Sequence, residues 1–161
     1  WRERIDNAIL SLGKLGERVL GFAEYYYPEG SLPEDVDSYD QESLNLPRTD
    51  LTFVGLMSMI DPPKEGVPEA VAKCKTAGIQ VIMVTGDHKV TAHAIAKQVG
   101  IVEGLTRDEV AEQKNIDPAS VMEDEYDAAV TTGDDINKGI SEEEWDRILS
   151  KSSIVFARTS P

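Results

Sequence analysis

Three stretches of the chain carry apolar residues at the spacing of one helical face, i, i+3, i+4 and i+7. The stripes are Ile5, Ala8, Ile9 and Leu12; Val67, Ala70, Val71 and Cys74; and Ala92, Ile95, Ala96 and Val99. Gly13 and Gly16 interrupt the first, while Gly78 and Gly100 follow the other two at the position where many helices end in a left-handed turn. The pattern therefore predicts three amphipathic helices.

Mainly apolar runs indicate strands at residues 19–23, 53–60, 79–84 and 154–157. The last three suit strands that are buried on both faces, as in a parallel sheet. Asp61, Pro62 and Pro63 end the second run, because proline lacks the N–H that a sheet needs and restricts the residue before it. The order strand, helix, strand, helix predicts a βαβ unit with parallel strands and a right-handed crossover. The predicted fold class is α/β.

Two acidic segments interrupt this pattern. Residues 28–50 hold three of the eight prolines and show no hydrophobic period, which predicts a long exposed loop that wraps a surface or joins two domains. After residue 101 an acidic insertion contains Thr106 with Glu109 and Ser141 with Glu144, both at capping-box spacing. These pairs predict short helices near 107–114 and 142–150, with one strand at 128–131 between them.

Composition narrows the class of protein. The 161 residues are 40% hydrophobic, which is typical of a globular domain, and the formal net charge of −14 argues against nucleic acid as a partner. A single cysteine excludes an internal disulfide and suits a reducing compartment. No run reaches the roughly 18 apolar residues of a membrane helix, and the chain opens on Trp1 without a signal peptide. We therefore expect a soluble piece of a larger protein.

The best candidate for chemistry is Thr85-Gly86-Asp87, which follows a predicted strand and precedes a helix. In open α/β sheets, ligands bind at the carboxyl ends of the strands. A hydroxyl, a glycine that lets backbone amides approach, and a helix N-terminus together suit a phosphate, and the Asp87 carboxylate could position a cation or a lysine. The same letters also suit a tight turn capped by aspartate, and the residues alone leave both interpretations open.

Other candidates are weaker. Thr132-Gly133-Asp134 repeats the three letters without a strongly apolar strand before it, which predicts a surface turn. His88 and His93 lie five residues apart, which is not the spacing of a helical metal pair, so no metal site is predicted. Cys74 lies on the apolar stripe of its helix, where it is expected to be core.

Four motifs resemble the P-type cation-transporting ATPases. They are residues 83–88 (Met-Val-Thr-Gly-Asp-His) with the helix that follows, Ser58–Pro63, Leu15–Phe22 and Val155–Pro161. The second is similar to the Asp-Pro-Pro hinge of the family, and the last two resemble specifically the α-subunits of sodium/potassium and proton/potassium pumps. The resemblance covers nearly the whole chain in order and is weakest at 28–50 and 103–150.

The resemblance implies roles for the candidate residues. Thr85, Gly86 and Asp87 would hold the transferring phosphoryl group, as a strand-end Thr or Ser does in haloacid-dehalogenase-like folds. Asp61, Pro62 and Pro63 would form a hinge that directs how one domain swings over the other.

Two arginines receive a nucleotide-binding role from the same resemblance. Arg18 would contact the nucleotide phosphates through its cationic fork, unless it is a solvated partner of Glu17. Arg158 matches a further arginine that contacts the nucleotide.

The resemblance also predicts the domain organisation. Residues 1–50 would be the end of the nucleotide-binding domain with an acidic connecting loop. Residues 51–161 would be part of the phosphorylation domain, a Rossmann-like parallel sheet with flanking helices and an acidic insertion near 103–150. The family motif with the phosphorylated aspartate, Asp-Lys-Thr-Gly-Thr, is absent from the sequence, as are the catalytic lysine and the magnesium-binding motif. The chain alone is therefore expected to be inactive, with ATP and Mg serving the whole pump.

The implied function is that of a cytoplasmic fragment of a P-type cation pump. Such a pump couples ATP hydrolysis, through an aspartyl-phosphate, to cation transport of the sodium/potassium type across a membrane, here expected to be the plasma membrane. Its partners would be ATP, the remainder of the pump with its transmembrane helices, and, as a further candidate, a β-subunit. The alternatives are a free-standing haloacid-dehalogenase-type phosphatase and a non-catalytic regulatory domain of that fold. The ion cannot be predicted, because its ligands lie in membrane helices.

Overall fold

The computed structural model describes residues 1–30 and 47–159. Most of the predicted acidic loop at 28–50, and Ser160 and Pro161 of the C-terminal motif, lie outside the described residues. The helices are α1 (Arg2–Lys14), α2 (Val67–Thr76), α3 (Lys89–Gln98), α4 (Arg107–Lys114), α5 (Gly133–Asn137) and α6 (Glu142–Leu149). The strands are β1 (Arg18–Glu24), β2 (Thr52–Met59), β3 (Ile82–Val84), β4 (Ala128–Thr132) and β5 (Ser153–Ala157).

The described chain divides into two compact units. The smaller comprises Val19–Ser58, and the larger comprises Trp1–Arg18 with Met59–Pro161. In the smaller unit β1 and β2 pair in a two-stranded sheet. The prediction that residues 53–60 form a buried strand of a βαβ unit is wrong in this respect, because β2 pairs with β1 and not with β3, and most of its side chains are exposed. The apolar run at 53–60 predicts a strand correctly but does not predict which strand pairs with it.

The larger unit is built on a parallel three-stranded sheet in the order β3-β5-β4. Met83 of β3 and Val130 of β4 both align with Val155 of β5, so the central strand follows both of its neighbours in sequence. Ile154 and Val155 are fully buried. Flanking helices cover this parallel sheet, and the predicted α/β class is confirmed.

Helix α3 contributes the main packing surface against the sheet. Ala92 and Ala96 are completely buried and join Val99, Val155 and Ala157 in the hydrophobic core. Small side chains at this interface let the helix lie close to the sheet, and burial of the apolar surface stabilises the packing by about 25 cal/mol per Å². The three predicted helices are all present.

The edge strand β3 differs from its prediction. It spans three residues, and Ile82 and Val84 are 40% and 67% exposed, whereas a strand buried on both faces was expected at 79–84. Among the described residues β3 pairs with β5 alone, so its second edge carries no strand. The apolar side chains of this run are therefore only partly buried within the described chain.

The acidic insertion folds as its local signals indicate. Thr106 accepts a hydrogen bond from the Glu109 amide, and the Glu109 carboxylate accepts one from the Thr106 amide at 2.8 Å, so the capping box at α4 is complete. At α6, Ser141 caps the helix by accepting from the Glu144 amide. The insertion also supplies strand β4 where one was predicted. Within the described parts of the chain, no helix combines the length and hydrophobicity needed to cross a membrane.

Candidate functional site

The three parallel strands end at one edge of the sheet, and their following loops are joined there by backbone hydrogen bonds. The Thr85 amide donates to Phe156 O at 2.9 Å, which extends the pairing of β3 and β5 by one residue. Beyond it, the Arg158 amide donates to Asp87 O at 3.0 Å and the Thr159 amide donates to Thr85 O at 3.2 Å. The loop after β5 therefore fixes the backbone of Thr85-Gly86-Asp87, the segment that we call the strand-end loop.

Within the strand-end loop, Thr85 and Asp87 form a closed pair of hydrogen bonds. The Thr85 hydroxyl donates to Asp87 Oδ2 at 3.0 Å, and the Asp87 amide donates to Thr85 Oγ1 at 3.1 Å. Both residues are half-buried, and the loop leads into α3, whose N-cap residue His88 makes no side-chain capping bond. The arrangement orders a hydroxyl group beside a helix N-terminus with no side-chain cap, a combination suited to an anion.

Gly86, between them, is exposed and is not required by the fold of the chain itself. Its φ lies outside the left-handed region, and an added Cβ would meet only Thr159 O, at the ordinary contact distance of 3.8 Å. Glycine also serves where a ligand must come close to the backbone. The open space at Gly86 fits that use.

Arg18 reaches this loop from a distant part of the sequence. Its Nη2 donates a hydrogen bond to Asp87 Oδ1, so Asp87 accepts from Thr85 on one oxygen and from Arg18 on the other. The alternative that pairs Arg18 with Glu17 is not what the structure contains. The Arg18 side chain is 66% exposed, so its cationic fork lies beside the strand-end loop and is open to solvent.

The approach of Arg18 depends on close packing of the α1 C-terminus against the start of α3. Gly13 is buried, and a Cβ there would lie 3.3 Å from Val90 Cγ1. Gly16 adopts a positive φ of 81° to turn the chain, and the Thr91 hydroxyl donates to Glu17 O at 3.3 Å. Two glycines that the sequence pattern treats only as helix breakers therefore set the position of the following arginine.

The charge state of Asp87 follows from these contacts. The hydrogen bond from Arg18 lowers the pKa of the Asp87 carboxyl, the bond from Thr85 lowers it further, and partial burial opposes both. The carboxylate is thus held ionised at neutral pH. Asp87 raises the pKa of Arg18 in turn, with a smaller contribution from the charge of Asp61.

The remaining predicted site residues lie at two places. Arg158 follows β5 at the same sheet edge, is exposed, and has a left-handed φ of 53°. Asp61, Pro62 and Pro63 form an irregular segment after β2, close to the boundary between the two compact units at Met59. The edge of the sheet thus collects Arg18, the strand-end loop and Arg158, while the predicted hinge role of residues 61–63 stays a prediction.

Thr132-Gly133-Asp134 is not the isolated surface turn that the sequence predicts. It begins α5 directly after β4, at the same sheet edge as the strand-end loop, and Thr132 caps α5 by accepting from the Asp135 amide. A Cβ on Gly133 would lie 2.5 Å from Arg158 O. The prediction is wrong because β4, Ala128–Thr132, pairs with the buried β5 although Val130 is its only large hydrophobic residue.

The fit of a magnesium ion can be tested against the acidic side chains. Within residues 1–30 and 47–159, no group of three or more His, Cys, Asp or Glu side chains could hold a metal ion. The carboxylate of Asp87 is also engaged by Arg18 and Thr85. The described residues therefore do not by themselves fit magnesium.

His93 of α3 lines a cavity of about 440 Å³ together with residues of α4. Its Nε2 is buried without a hydrogen-bond partner among the described residues and lies 3.6 Å from Glu109 Oε2. Burial lowers the pKa of His93, although the charge of Glu109 opposes this, and Lys97 and Lys89 lower it further. The folded state therefore favours the neutral imidazole.

Acidification is expected to destabilise the chain through His93. As the pH falls below the usual histidine value of 6.5, the unfolded state binds a proton before the folded state does, so the free energy of unfolding decreases until the lower folded pKa is reached. Urea denaturation at a series of pH values between 7.5 and 5 measures this slope. His93→Gln should flatten it, whereas His88→Gln, at an exposed site, should leave it in place; an unchanged slope in the first variant would contradict the assignment.

Comparison with known proteins now adds to this geometry. The family described as P-type ATPase, cytoplasmic domain N, matches residues 1–66. Over 99% of its length the chain is 52% identical to potassium-transporting ATPase alpha chain 2 of Oryctolagus cuniculus and to sodium/potassium-transporting ATPase subunit alpha-2 of Gallus gallus. It is 51% identical to sodium/potassium-transporting ATPase subunit alpha-3 of Homo sapiens. The chain spans 15% of the length of the first relative and 16% of the others.

Proposed function

The chain belongs to the P-type cation-transporting ATPases, and we propose that it supplies part of the phosphoryl-transfer site of a cation pump. In this proposal the pump hydrolyses ATP through an aspartyl-phosphate and couples that reaction to transport across a membrane. The transported ions would be of the sodium/potassium type, since relatives named as sodium/potassium and potassium transporters match 99% of the chain.

One observation carries the proposal. The exposed guanidinium of Arg18, the first residue of β1, meets the strand-end loop across 69 residues of sequence, and Asp87 holds it there. An arginine fork beside a strand-end hydroxyl and the exposed backbone at Gly86 suits the oxygens of a polyphosphate. A tight turn capped by aspartate would need no such arginine.

Each residue has a distinct task in the proposed chemistry. Phosphoryl transfer depends mainly on positioning and charge neutralisation, with little covalent work for the protein itself. The Thr85 hydroxyl would turn from Asp87 to a phosphoryl oxygen, and the backbone at Gly86 would approach the phosphate closely. Arg18 and Arg158 would neutralise the nucleotide phosphates, and Asp87 would keep Arg18 in place.

The remaining parts of the reaction would come from the rest of the pump. These are the phosphorylated aspartate, the catalytic lysine, the magnesium ligands and the transmembrane helices, which carry the ion site. ATP is the proposed substrate and Mg the proposed cofactor of the whole protein. We place this segment on the cytoplasmic side of the plasma membrane, with Asp61, Pro62 and Pro63 as a hinge and a β-subunit as a candidate partner.

Two other functions remain as rivals. A free-standing haloacid-dehalogenase-type phosphatase would use the same strand-end loop but has no need for Arg18. A non-catalytic regulatory domain would keep the fold without an aspartate nucleophile in the complete protein. An intact Asp-Lys-Thr-Gly-Thr motif in the complete protein would eliminate the second rival.

Phosphorylation by ATP tests the proposal directly. Incubated with radiolabelled ATP and magnesium, the complete protein is expected to form an acid-stable phosphoenzyme, which is the signature of an acyl phosphate. The 161-residue chain alone should incorporate no label and show no turnover above buffer, because its sequence lacks the motif that carries the nucleophile. Label on the isolated chain would mean that the nucleophile has been assigned to the wrong segment, and no label on the complete protein would reject the proposed function.

A further inference from the structure

Gly133 makes the closest approach to backbone of any glycine in the described chain. A Cβ on Gly133 would lie 2.5 Å from Arg158 O, a distance that real Cβ atoms essentially never show, and 3.2 Å from Arg158 C, which is tighter than most real contacts. Its φ is not in the left-handed region, so glycine is not needed there for its own backbone conformation. Glycine is needed because the backbone after β5 passes directly over it.

The segment that passes over Gly133 is the one that holds the strand-end loop. Arg158 adopts a left-handed φ of 53°, a conformation that is unfavourable for a residue with a side chain. From this position its amide donates to Asp87 O at 3.0 Å. The next residue, Thr159, donates to Thr85 O twice, from its amide and from its hydroxyl, each at 3.2 Å.

These contacts form a continuous path from β4 to the proposed phosphoryl site. Gly133 lies against the carbonyl of Arg158, and the bonds of Arg158 and Thr159 fix the two ends of the strand-end loop. A methyl group at 133 would push the Arg158 carbonyl away by about 1 Å, which is the difference between 2.5 Å and the distance of ordinary contacts. That displacement would be passed to Thr85 and Asp87 through the three bonds.

We propose that Gly133 is a positioning residue for phosphoryl transfer, acting through the Arg158-Thr159 segment on the strand-end loop. The inference rests on the proposed function, because it concerns the same loop. It gives the second Thr-Gly-Asp sequence a role through its glycine, since the Thr132 side chain is occupied with Asp135 in capping α5. Gly133 links that sequence to the strand-end loop through Arg158.

Gly104 offers a matched control. A Cβ there would lie 2.7 Å from the Asp127 Cβ, so Gly104→Ala also introduces a severe contact. It acts at the other end of β4, where Thr106 and Ala128 form an isolated bridge. The three nearest atoms that a Gly104 Cβ would meet all belong to Asp127, and Asp127 makes no hydrogen bond to the strand-end loop among the described residues.

The experiment compares both variants in the complete pump. The measured quantity is the rate constant of phosphoenzyme formation at saturating ATP, which does not depend on how much folded protein is recovered. Gly133→Ala should lower this rate constant about tenfold, because a 1 Å misplacement of reacting groups can cost up to about 10²-fold. Gly104→Ala should stay within about twofold of the unmodified pump. Equal rate constants for the two variants would overturn the inference.

Two further variants distinguish failure of this inference from misfolding and from failure of the proposed function. If Gly133→Ala yields no folded pump, Thr159→Val tests the same path, because it removes the hydroxyl bond to Thr85 O while keeping the side-chain shape. A slower rate supports the inference, and an unchanged rate overturns it.

Thr85→Ala tests the phosphoryl site itself. A slow Thr85→Ala with a normal Gly133→Ala rejects this inference only, whereas a normal Thr85→Ala rejects the proposed function and the inference with it.

Discussion

Thr85→Ala in the complete pump is expected to slow phosphoenzyme formation by about 10²- to 10³-fold. The hydroxyl is held at the strand end by Asp87, and under the proposed function it would donate to a phosphoryl oxygen. Loss of one preorganised donor to the transition state commonly costs about 2.7–4 kcal/mol. Rapid-quench measurement of acid-stable phosphoenzyme at saturating ATP gives the rate constant, and ATP affinity should change far less.

The matched control for this variant is Thr132→Ala. Thr132 also ends a parallel strand, precedes Gly-Asp and accepts a hydrogen bond from a helical amide, here that of Asp135. Its removal should cost about 1 kcal/mol of stability through the lost cap but leave the rate within about twofold. Similar losses of rate at the two threonines would contradict the assignment of the phosphoryl site to Thr85.

Arg18→Ala is expected to weaken ATP binding by about ten- to a hundredfold, with little effect on adenosine. The 161-residue chain carries a net charge of −14, which repels ATP at long range, so attraction within this segment must come from a local cation. A charge-assisted hydrogen bond to phosphate contributes about 1.5–3 kcal/mol, which corresponds to that factor. Calorimetric titration of the complete pump with ATP and with adenosine separates the phosphate contribution from that of the base.

The conservative variant refines this result. Arg18→Lys should recover only part of the affinity, because an ammonium keeps the charge but loses the planar fork. Asp87→Asn, which leaves the guanidinium less firmly held, should weaken ATP binding less than Arg18→Ala does. Unchanged ATP binding in the alanine variant would mean that Arg18 serves only as the ion-pair partner of Asp87.

The helices and their ends could be predicted because their signals are local. The stripe at 92–99 and the capping box of Thr106 and Glu109 each involve residues within one or two turns of one another. Such patterns form in nearly the same way whatever surrounds them. The structure accordingly differs from those predictions only at a few terminal residues.

The pairing of the strands could not be predicted in the same way. The run at 53–60 was assigned to the parallel sheet because it is apolar, yet β2 lies in the two-stranded sheet with β1. An apolar run indicates a strand whose side chains are to be buried, but it does not indicate which strand pairs with it. The weakly apolar β4, by contrast, takes a place in the parallel sheet beside the buried β5.

The strand-end loop of the candidate site could be predicted from the sequence, but the long-range contacts that hold it could not. Thr85-Gly86-Asp87 follows a strand in sequence, so its place at a sheet edge was accessible. The bond from Arg18 to Asp87 spans 69 residues, and the approach of Gly133 to Arg158 depends on the register of β4 against β5. Long-range contacts of this kind have no periodic signal in a single sequence.

The central place of β5 has a consequence for the synthesis of the chain. Both β3 and β4 pair with β5 in the described sheet, so neither can complete it until residues 153–157 have left the ribosome. At about 5–20 residues per second, β3 waits roughly 4–14 s after it is made. During that interval Ile82 and Val84 have no sheet partner in the described chain, and exposed apolar edges of this kind favour aggregation. The nascent chain is therefore expected to be vulnerable to misassembly until β5 emerges.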